Sequence, residues 1–261
     1  MNISLKGKKA LIGGSSDGIG KAIAIQLAAS GASVTLVSRS EAKLKNIIAN
    51  LPTAEGQTHQ YLLVDYTDFE AYALQLESYF NSNTIDILVN NTQGPSAGNT
   101  LEKNITDYQA AFDLLFKTTV FTTELALKNM MNNKWGRIIN IASVSVKEPL
   151  SYLALSNTIR AAVVTWGKSL ATDVGPYQIT VNNILTGYFD TNRIAQLNAT
   201  KAKQLKISEE EVRNQMEAKV SLLRIGKPEE YGYLVAFLAS DNAAYITGTS
   251  IPIDGGLLKS L

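Results

Sequence analysis

Short apolar, β-branched runs alternate along this 261-residue chain with longer stretches whose apolar residues recur every three to four positions. The first run, Lys9-Ala10-Leu11-Ile12, reads as a buried strand, and Lys21–Ser30 as the helix after it. The same rhythm predicts strands over Ser33–Ser38, Tyr61–Val64, Ile85–Val89, Arg137–Ala142, Ile179–Leu185 and Thr249–Ile253. Helices are predicted over Glu41–Asn50, Phe69–Phe80, Asp107–Met131, Tyr152–Val174 and Pro228–Ala239. Gly175-Pro176 stops the longest of the later helices, and Pro228 stands where a helix tolerates proline, in its first turn. Uniformly apolar strands, each followed by a helix, predict an α/β fold. It is a doubly wound, Rossmann-type parallel sheet flanked by helices, a single domain over residues 1–261.

One segment breaks the rhythm. Thr191–Ile225 is polar and helix-prone and carries no strand signal. In a doubly wound fold it leaves the carboxyl edge of the sheet, where ligands bind. It reads either as a helical lid over residues 191–225 or as a solvated helical pair that covers the edge.

Composition narrows the function classes. The chain is 45% hydrophobic and 18% charged with net charge +1, an ordinary globular balance that gives no reason to propose nucleic acid or an anionic membrane as partner. Cysteine is absent, which removes disulfides and thiolate chemistry, and the single histidine, His59, reads as a surface residue. No metal site is expected. Met1–Lys9 lacks an apolar signal core and no stretch approaches about 18 uninterrupted apolar residues, so the cytoplasm is the default compartment.

The candidate chemistry begins at Gly13-Gly14-Ser15-Ser16-Asp17-Gly18-Ile19-Gly20. A glycine turn between a strand and a helix start makes an anion site. Free backbone N–H groups and the positive end of the helix dipole face whatever lies over it. Glycines let a pyrophosphate approach the backbone.

Further stretches follow in order: Asp65 after the third strand, Leu88-Val89-Asn90-Asn91, Gly136-Arg137-Ile138-Ile139-Asn140-Ile141-Ala142-Ser143, Lys168-Ser169-Leu170-Ala171, Thr180-Val181-Asn182, Gly187-Tyr188-Phe189-Asp190-Thr191, Arg224–Glu230 and Asp254-Gly255-Gly256. With the glycine turn, these resemble the short-chain dehydrogenase/reductase family over nearly the whole chain. The resemblance implies a fold that binds NAD(H) or NADP(H) and interconverts carbonyls and alcohols. It implies that Gly14, Ser16, Asp17, Gly18, Ile19 and Gly20 hold the pyrophosphate, and that Asp65 and the Tyr66 N–H meet the adenine edge. Asn90 braces the fourth strand, while Asn91, Gly187 and Phe189 line the cofactor and Thr191 reaches the carboxamide. Gln93 stands where a second glycine is usual, and its side chain projects towards the cofactor, either bonding it or partly blocking it. It also implies a homotetramer or homodimer built on the long helices.

Cofactor choice has its own physical argument. An acid at the end of the second strand would accept the ribose hydroxyls of NAD and repel a 2′-phosphate. That end reads Ser38-Arg39. A guanidinium there favours NADP(H) over NAD(H), and Asp17 opposes it.

The resemblance also implies four catalytic positions, and the chain departs from three of them. Ser143 matches the serine. The tyrosine position falls on Ser156, the lysine position on Arg160 and the asparagine position on Phe116. Leu155-Ser156-Asn157-x-x-Arg160, with Asn90-Asn91-Thr92-Gln93-Gly94-Pro95, resembles a divergent branch that lacks the Tyr-x-x-x-Lys pair. Arginine stays protonated, so Arg160 can bind ribose but cannot relay a proton. Tyr152, one turn before Ser156, and Tyr188 are the candidate donors. The other readings are a helix-start residue packed on the lid and an aromatic wall of the pocket. Ser145 and Lys147 are further candidates to touch substrate. The expected activity is an NAD(P)(H)-dependent oxidoreductase acting on a small-molecule carbonyl or alcohol, with non-standard catalytic residues. A nucleotide-binding protein without redox activity and a non-redox lyase or isomerase are the alternatives.

Overall fold

The computed structural model describes residues 3–260, so Met1, Asn2 and Leu261, including the start of the Met1–Lys9 stretch, lie outside the described residues. Seven strands form one parallel sheet: β1 (Lys9–Ile12), β2 (Ser33–Ser38), β3 (Gln60–Leu63), β4 (Ile87–Asn90), β5 (Gly136–Ile141), β6 (Ile179–Thr186) and β7 (Ser250–Ile253). Their order is β3-β2-β1-β4-β5-β6-β7, so the winding reverses between β1 and β4. That reversal opens a crevice at the carboxyl ends of β1 and β4, the place where doubly wound sheets bind ligands.

The helices are α1 (Gly18–Ala29), α2 (Glu41–Ile48), α3 (Phe69–Ser82), α4 (Ile105–Phe112), α5 (Thr118–Asn133), α6 (Ala154–Val174), α7 (Asn192–Leu205), α8 (Glu209–Glu217) and α9 (Pro228–Ala239). Alternation along each strand feeds two cores. Ala10, Ile12, Val34, Leu36, Ile87 and Val89 face Ile23, Leu27, Leu44, Tyr231 and Val235 on one side. Leu11, Val37, Leu88, Ile138 and Val181 face Tyr72, Leu76, Leu114, Met130 and Ile159 on the other.

Several predicted boundaries move. The first helix starts at Gly18 rather than Lys21, because Asp17 caps it and brings the last two glycines into its first turn. The single helix predicted over Asp107–Met131 is two helices separated by a π-helical turn, Asp113–Lys117. Thr118, Thr119, Thr122 and Thr123 each donate a hydroxyl to the carbonyl four residues back, the bonding that bends a helix. His59 is not simply a surface residue. Its Nδ1 accepts from Val34 N at 3.2 Å and its Nε2 lies 2.9 Å from Pro52 O, so it ties the loop before β3 to β2. The 191–225 segment forms α7 and α8, closed on a small core of Ala202, Val212 and Met216 beside Tyr188, Ile194 and Ile207.

Among the described residues no helix is long and apolar enough to cross a membrane, and no group of three His, Cys, Asp or Glu side chains stands close enough to hold a metal ion.

Candidate active site

The glycine turn is packed from behind. A Cβ on Gly13 would stand 2.2 Å from Asn91 O, and one on Gly20 would stand 2.2 Å from Gly14 O. Gly14 and Gly18 have φ of +56° and +51°, a region that suits glycine. Asn91 Nδ2 donates to Gly13 O at 3.0 Å, and the buried Tyr66 hydroxyl lies behind the turn, 2.9 Å from where a Cβ on Gly13 would stand. The Asn91 and Tyr66 side chains therefore hold the turn from behind. Asp17 Oδ1 accepts from Gly18 N at 2.8 Å, so one of the donors expected to face an anion is already satisfied. Helix geometry leaves the N–H groups of Ile19 and Gly20 without intrahelical acceptors. A glycine-rich turn at a helix N-terminus suits a pyrophosphate, and this one fits the dinucleotide the sequence implies.

The far end of the groove is a charged cluster. Ser38 Oγ donates to Ser16 Oγ at 2.8 Å. Arg39 Nη2 donates to Gln93 Oε1 at 2.9 Å, and its Nη1 lies 3.6 Å from Asp65 Oδ2. Gln93 therefore reaches Arg39 across the mouth of the groove. Hydrogen bonds from the Thr67 hydroxyl and N–H, with the charge of Arg39, hold the Asp65 carboxyl below its usual range. Partial burial pushes the Asp17 carboxyl up, but Asn192, Gly18 N–H and Lys43 outweigh it and hold the group below its usual range. Lys43 Nζ stands 3.5 Å from Asp17 Oδ2. Sequence reasoning missed Lys43; its signal was a basic residue in the first turn of the helix after β2.

The lid begins directly over the turn. Asn192 Nδ2 donates to Asp17 Oδ2, and the Thr191 methyl covers Gly18, where a Cβ would meet it at 3.0 Å. Thr191 Oγ1 caps α7 by accepting from Ile194 N, and donates to Phe189 O at 3.3 Å. Its hydroxyl is engaged in the cap, where the resemblance had it reaching a carboxamide. Phe189 is also turned away from the crevice. It is buried against Tyr231, ring centroids 5.2 Å apart, so its side chain belongs to the core. Gly187 supports the edge by its backbone, donating its N–H to Ile253 O with no room for a Cβ beside Asp254. Arg193 Nη2 donates to Pro95 O at 3.0 Å, which carries the lid start across to the loop after β4.

The remaining residues gather at the carboxyl ends of β5 and β6. Three asparagines form a ladder across the strands. Asn90 Nδ2 donates to Asn140 Oδ1 and to Thr123 Oγ1, and Asn140 Nδ2 donates to Asn183 Oδ1. Asn140 and Asn183 were not singled out from the sequence, where each looks like a polar interruption of an apolar strand. Ser143 is half-buried just past β5 and accepts from Ser145 N at 3.1 Å. Ser145 is fully enclosed with an unpartnered hydroxyl, so it does not reach substrate. Ser156 is half-buried in the first turn of α6. One turn on, Arg160 Nη1 donates to Ile141 O, two residues before Ser143. Burial holds the Arg160 pKa below the usual arginine value; Tyr231 opposes that shift and Arg193 adds to it. Phe116 packs between Phe112 and Trp166, an aromatic stack in place of an amide.

Tyr152 lies just before α6 and is 41% exposed. Its phenol faces that of Tyr188, on the loop after β6, closely enough for the two to perturb each other's ionisation. Burial pushes both phenols up. Tyr188 reaches about 12, with the neighbouring Tyr152 adding to its burial, while Tyr188 opposes the rise at Tyr152. Beyond Tyr188 a cavity of about 220 Å³ is lined by Phe189, Leu222, Gly226 and Ile253, with the Arg224–Glu230 ion pair at its rim.

Residues 14–258 match the family model described as enoyl-(acyl carrier protein) reductase. The chain belongs to the short-chain dehydrogenase/reductase family. It is 36% identical to the 3-oxoacyl-[acyl-carrier-protein] reductase FabG of Haemophilus influenzae over 264 residues, covering 98% of this chain and 100% of that one. It is 32% identical to the NADPH-dependent reductase BacG of Bacillus subtilis over 258 residues, covering 97% and 99%. The crystal structure of L-sorbose reductase from Gluconobacter frateurii, complexed with NADPH and L-sorbose, superposes with a TM-score of 0.92 at 31% identity over all of both chains. The family's oxidoreductase class comes with this membership, on the seven-stranded parallel sheet described above.

Proposed function

We propose that this chain is an NADPH-dependent reductase of a small-molecule carbonyl compound that takes its proton from the Tyr152–Tyr188 pair instead of from position 156. The closeness of those two phenols, Tyr152 just before α6 and Tyr188 on the loop after β6, carries the proposal. When bound, NADPH supplies the hydride that adds to the carbonyl carbon. Ser143 Oγ donates a hydrogen bond to the carbonyl oxygen. Tyr152 gives that oxygen its proton, and the Tyr188 hydroxyl beside it stabilises the phenolate left behind. Solvent then reprotonates Tyr152, which its exposure allows. The overall balance is carbonyl, NADPH and one proton going to alcohol and NADP⁺. In this arrangement a neighbouring hydroxyl takes the acidifying role the family gives to lysine, while Arg160 offers fixed charge and donors to the ribose.

NADP(H) is favoured over NAD(H) because Arg39 ends β2, where an acid would be needed for NAD. Lys43 stands against Asp17 and offsets its carboxylate. The NADPH-dependent relatives agree with that reading. The same proposal places the chain in the cytoplasm as a homotetramer or homodimer formed through α4, α5 and α6. Phe112 and Ile105 leave 38% and 83% of their surfaces exposed on that face.

The test is a titration of NADPH and NADH by intrinsic fluorescence, followed by NADPH oxidation across a panel of carbonyl compounds. Tighter NADPH binding with turnover supports the reading. No binding of either nucleotide overturns it, and binding without turnover would leave a nucleotide-binding protein that does no redox chemistry.

A further inference from the structure

Six arginines occur in the chain. Four pair with carboxylates: Arg39 with Asp65, Arg137 with Asp241, Arg213 with Asp190 and Glu217, and Arg224 with Glu230. Arg160 and Arg193 have no such partner among the described residues. Each makes one hydrogen bond to a backbone carbonyl, Arg160 to Ile141 O and Arg193 to Pro95 O. A guanidinium carries five N–H donors, so most of their donors remain open.

The two anchors come from neighbouring strands. Ile141 ends β5 and Pro95 follows β4, which pairs with β5 through Asn90 and Asn140. Arg160 rises from α6 at the floor of the crevice, and Arg193 reaches over from the lid, its guanidinium against Gly94. Burial and mutual repulsion lower the pKa of Arg160, and burial lowers that of Arg193. The nearby acids are engaged elsewhere: Asp17 with Asn192 and Lys43, Asp190 with Arg213, Glu230 with Arg224. Two guanidinium groups anchored on neighbouring strand ends, Arg160 half-buried and Arg193 exposed, neither with a carboxylate partner, stabilise an anion placed between them.

We propose that Arg193, backed by Arg160, binds a carboxylate of the substrate, so that this reductase acts on carbonyl compounds carrying a carboxylate near the carbonyl. This rests on the reductase reading above. Arg193 follows Thr191 and Asn192, which lie on the glycine turn, so it is the position of Arg160 that favours the substrate over the cofactor's pyrophosphate as the source of the anion. The glycine turn that suits a pyrophosphate ends β1, whereas Arg160 is fixed to the end of β5. That is two strand spacings away, roughly 10 Å. Ser143 lies two residues beyond the Arg160 anchor. The pair therefore flanks the place where the carbonyl oxygen is held, and a planar guanidinium fork matches a carboxylate.

Thermal-shift titrations of the NADPH-saturated full-length protein test this, with oxalate and malonate against the neutral oxamide and malonamide at matched ionic strength. The diacids raise the melting temperature and the amides do not. Arg193→Ala weakens diacid binding about tenfold or more, Arg193→Lys restores part of it, and NADPH affinity changes less than about threefold. Equal effects of acids and amides overturn the proposal. So does an Arg193→Ala protein that loses NADPH affinity but keeps the diacid response, which would assign Arg193 to the cofactor's phosphates. Should Arg193→Ala fail to fold, Arg193→Gln is read the same way. Repeating the titrations without nucleotide separates this site from the reductase reading, because an anion response can persist where NADPH does not bind.

Discussion

The two ends of the crevice are built on different principles. At the adenine end, function rests on the backbone: a glycine-rich turn, a capped helix start, and Asn91 and Tyr66 packed behind them. At the nicotinamide end it rests on side chains whose partners lie far away in sequence. Tyr152 meets Tyr188, Arg160 meets the end of β5, and Arg193 crosses to Pro95. A backbone site keeps its spacing when side chains change, whereas a side-chain site can be rebuilt from different residues.

Removing the phenols should have the largest effect and bears directly on the rebuilt end. Tyr152→Phe should lower kcat by about 10²–10⁴-fold, the usual weight of a positioned acid, with a smaller loss for Tyr188→Phe. Both phenols sit above their ordinary pKa of 10.0, with Tyr188 at about 12. An acid with a raised pKa stays protonated through the physiological range. The kcat for reduction should therefore be flat with pH up to about 10 and fall only above that. Undiminished turnover in the double Phe variant would show that the proton comes from elsewhere.

Charge reversal at the adenine end should give the next largest effect. Arg39→Asp should weaken NADPH by roughly 10–100-fold, from losing charge-assisted bonds of about 1.5–3 kcal/mol, and leave NADH binding as tight or tighter. Lys43→Ala should act in the same direction but less, because its contact with Asp17 is half-exposed. Measured dissociation constants for both nucleotides check this. Equal losses for NADPH and NADH would mean that Arg39 only supports Gln93 and Asp65.

The sheet was legible because each of its strands carries a near-continuous apolar run, and β2 and α9 occupy the predicted residues. The glycine turn was legible because its chemistry follows from local spacing. What escaped the sequence depended on long-range pairing. The Asn90–Asn140–Asn183 ladder joins three strands, and Lys43 meets Asp17 only once α2 packs beside the turn. Phe189 and Thr191 were assigned to a cofactor by motif position. Their own neighbours, Tyr231 and the α7 cap, turn them inward. The π-turn around Phe116 also escaped, since apolar periodicity does not register one inserted residue.

The smallest expected effect lies at the far edge of the lid and asks whether the two ends are independent. Glu230 accepts from Arg224 Nη2 at 2.6 Å, from Arg224 Nη1 at 2.8 Å and from Lys227 N at 2.7 Å. Arg224 and the Lys227 N–H hold its carboxyl down to about 2, from the usual 4.5. A depressed carboxylate pKa contributes stability that is fully present above the unfolded value and is lost as pH falls through the folded one. The pair's share should thus be intact above about pH 5 and disappear toward pH 2. Its side chains are 46% and 38% exposed, so solvent screening keeps the contribution within the range of about 0–1 kcal/mol for surface pairs. Glu230→Gln should lower the melting temperature at pH 7 by roughly 1–3 °C and flatten the acid limb of the stability curve. NADPH affinity should not change, because among the described residues neither Arg224 nor Glu230 hydrogen-bonds or ion-pairs with the glycine turn or with Arg39. A weaker NADPH complex in Glu230→Gln would show that the lid couples the two ends, and that the nicotinamide end cannot be rebuilt without disturbing the backbone site.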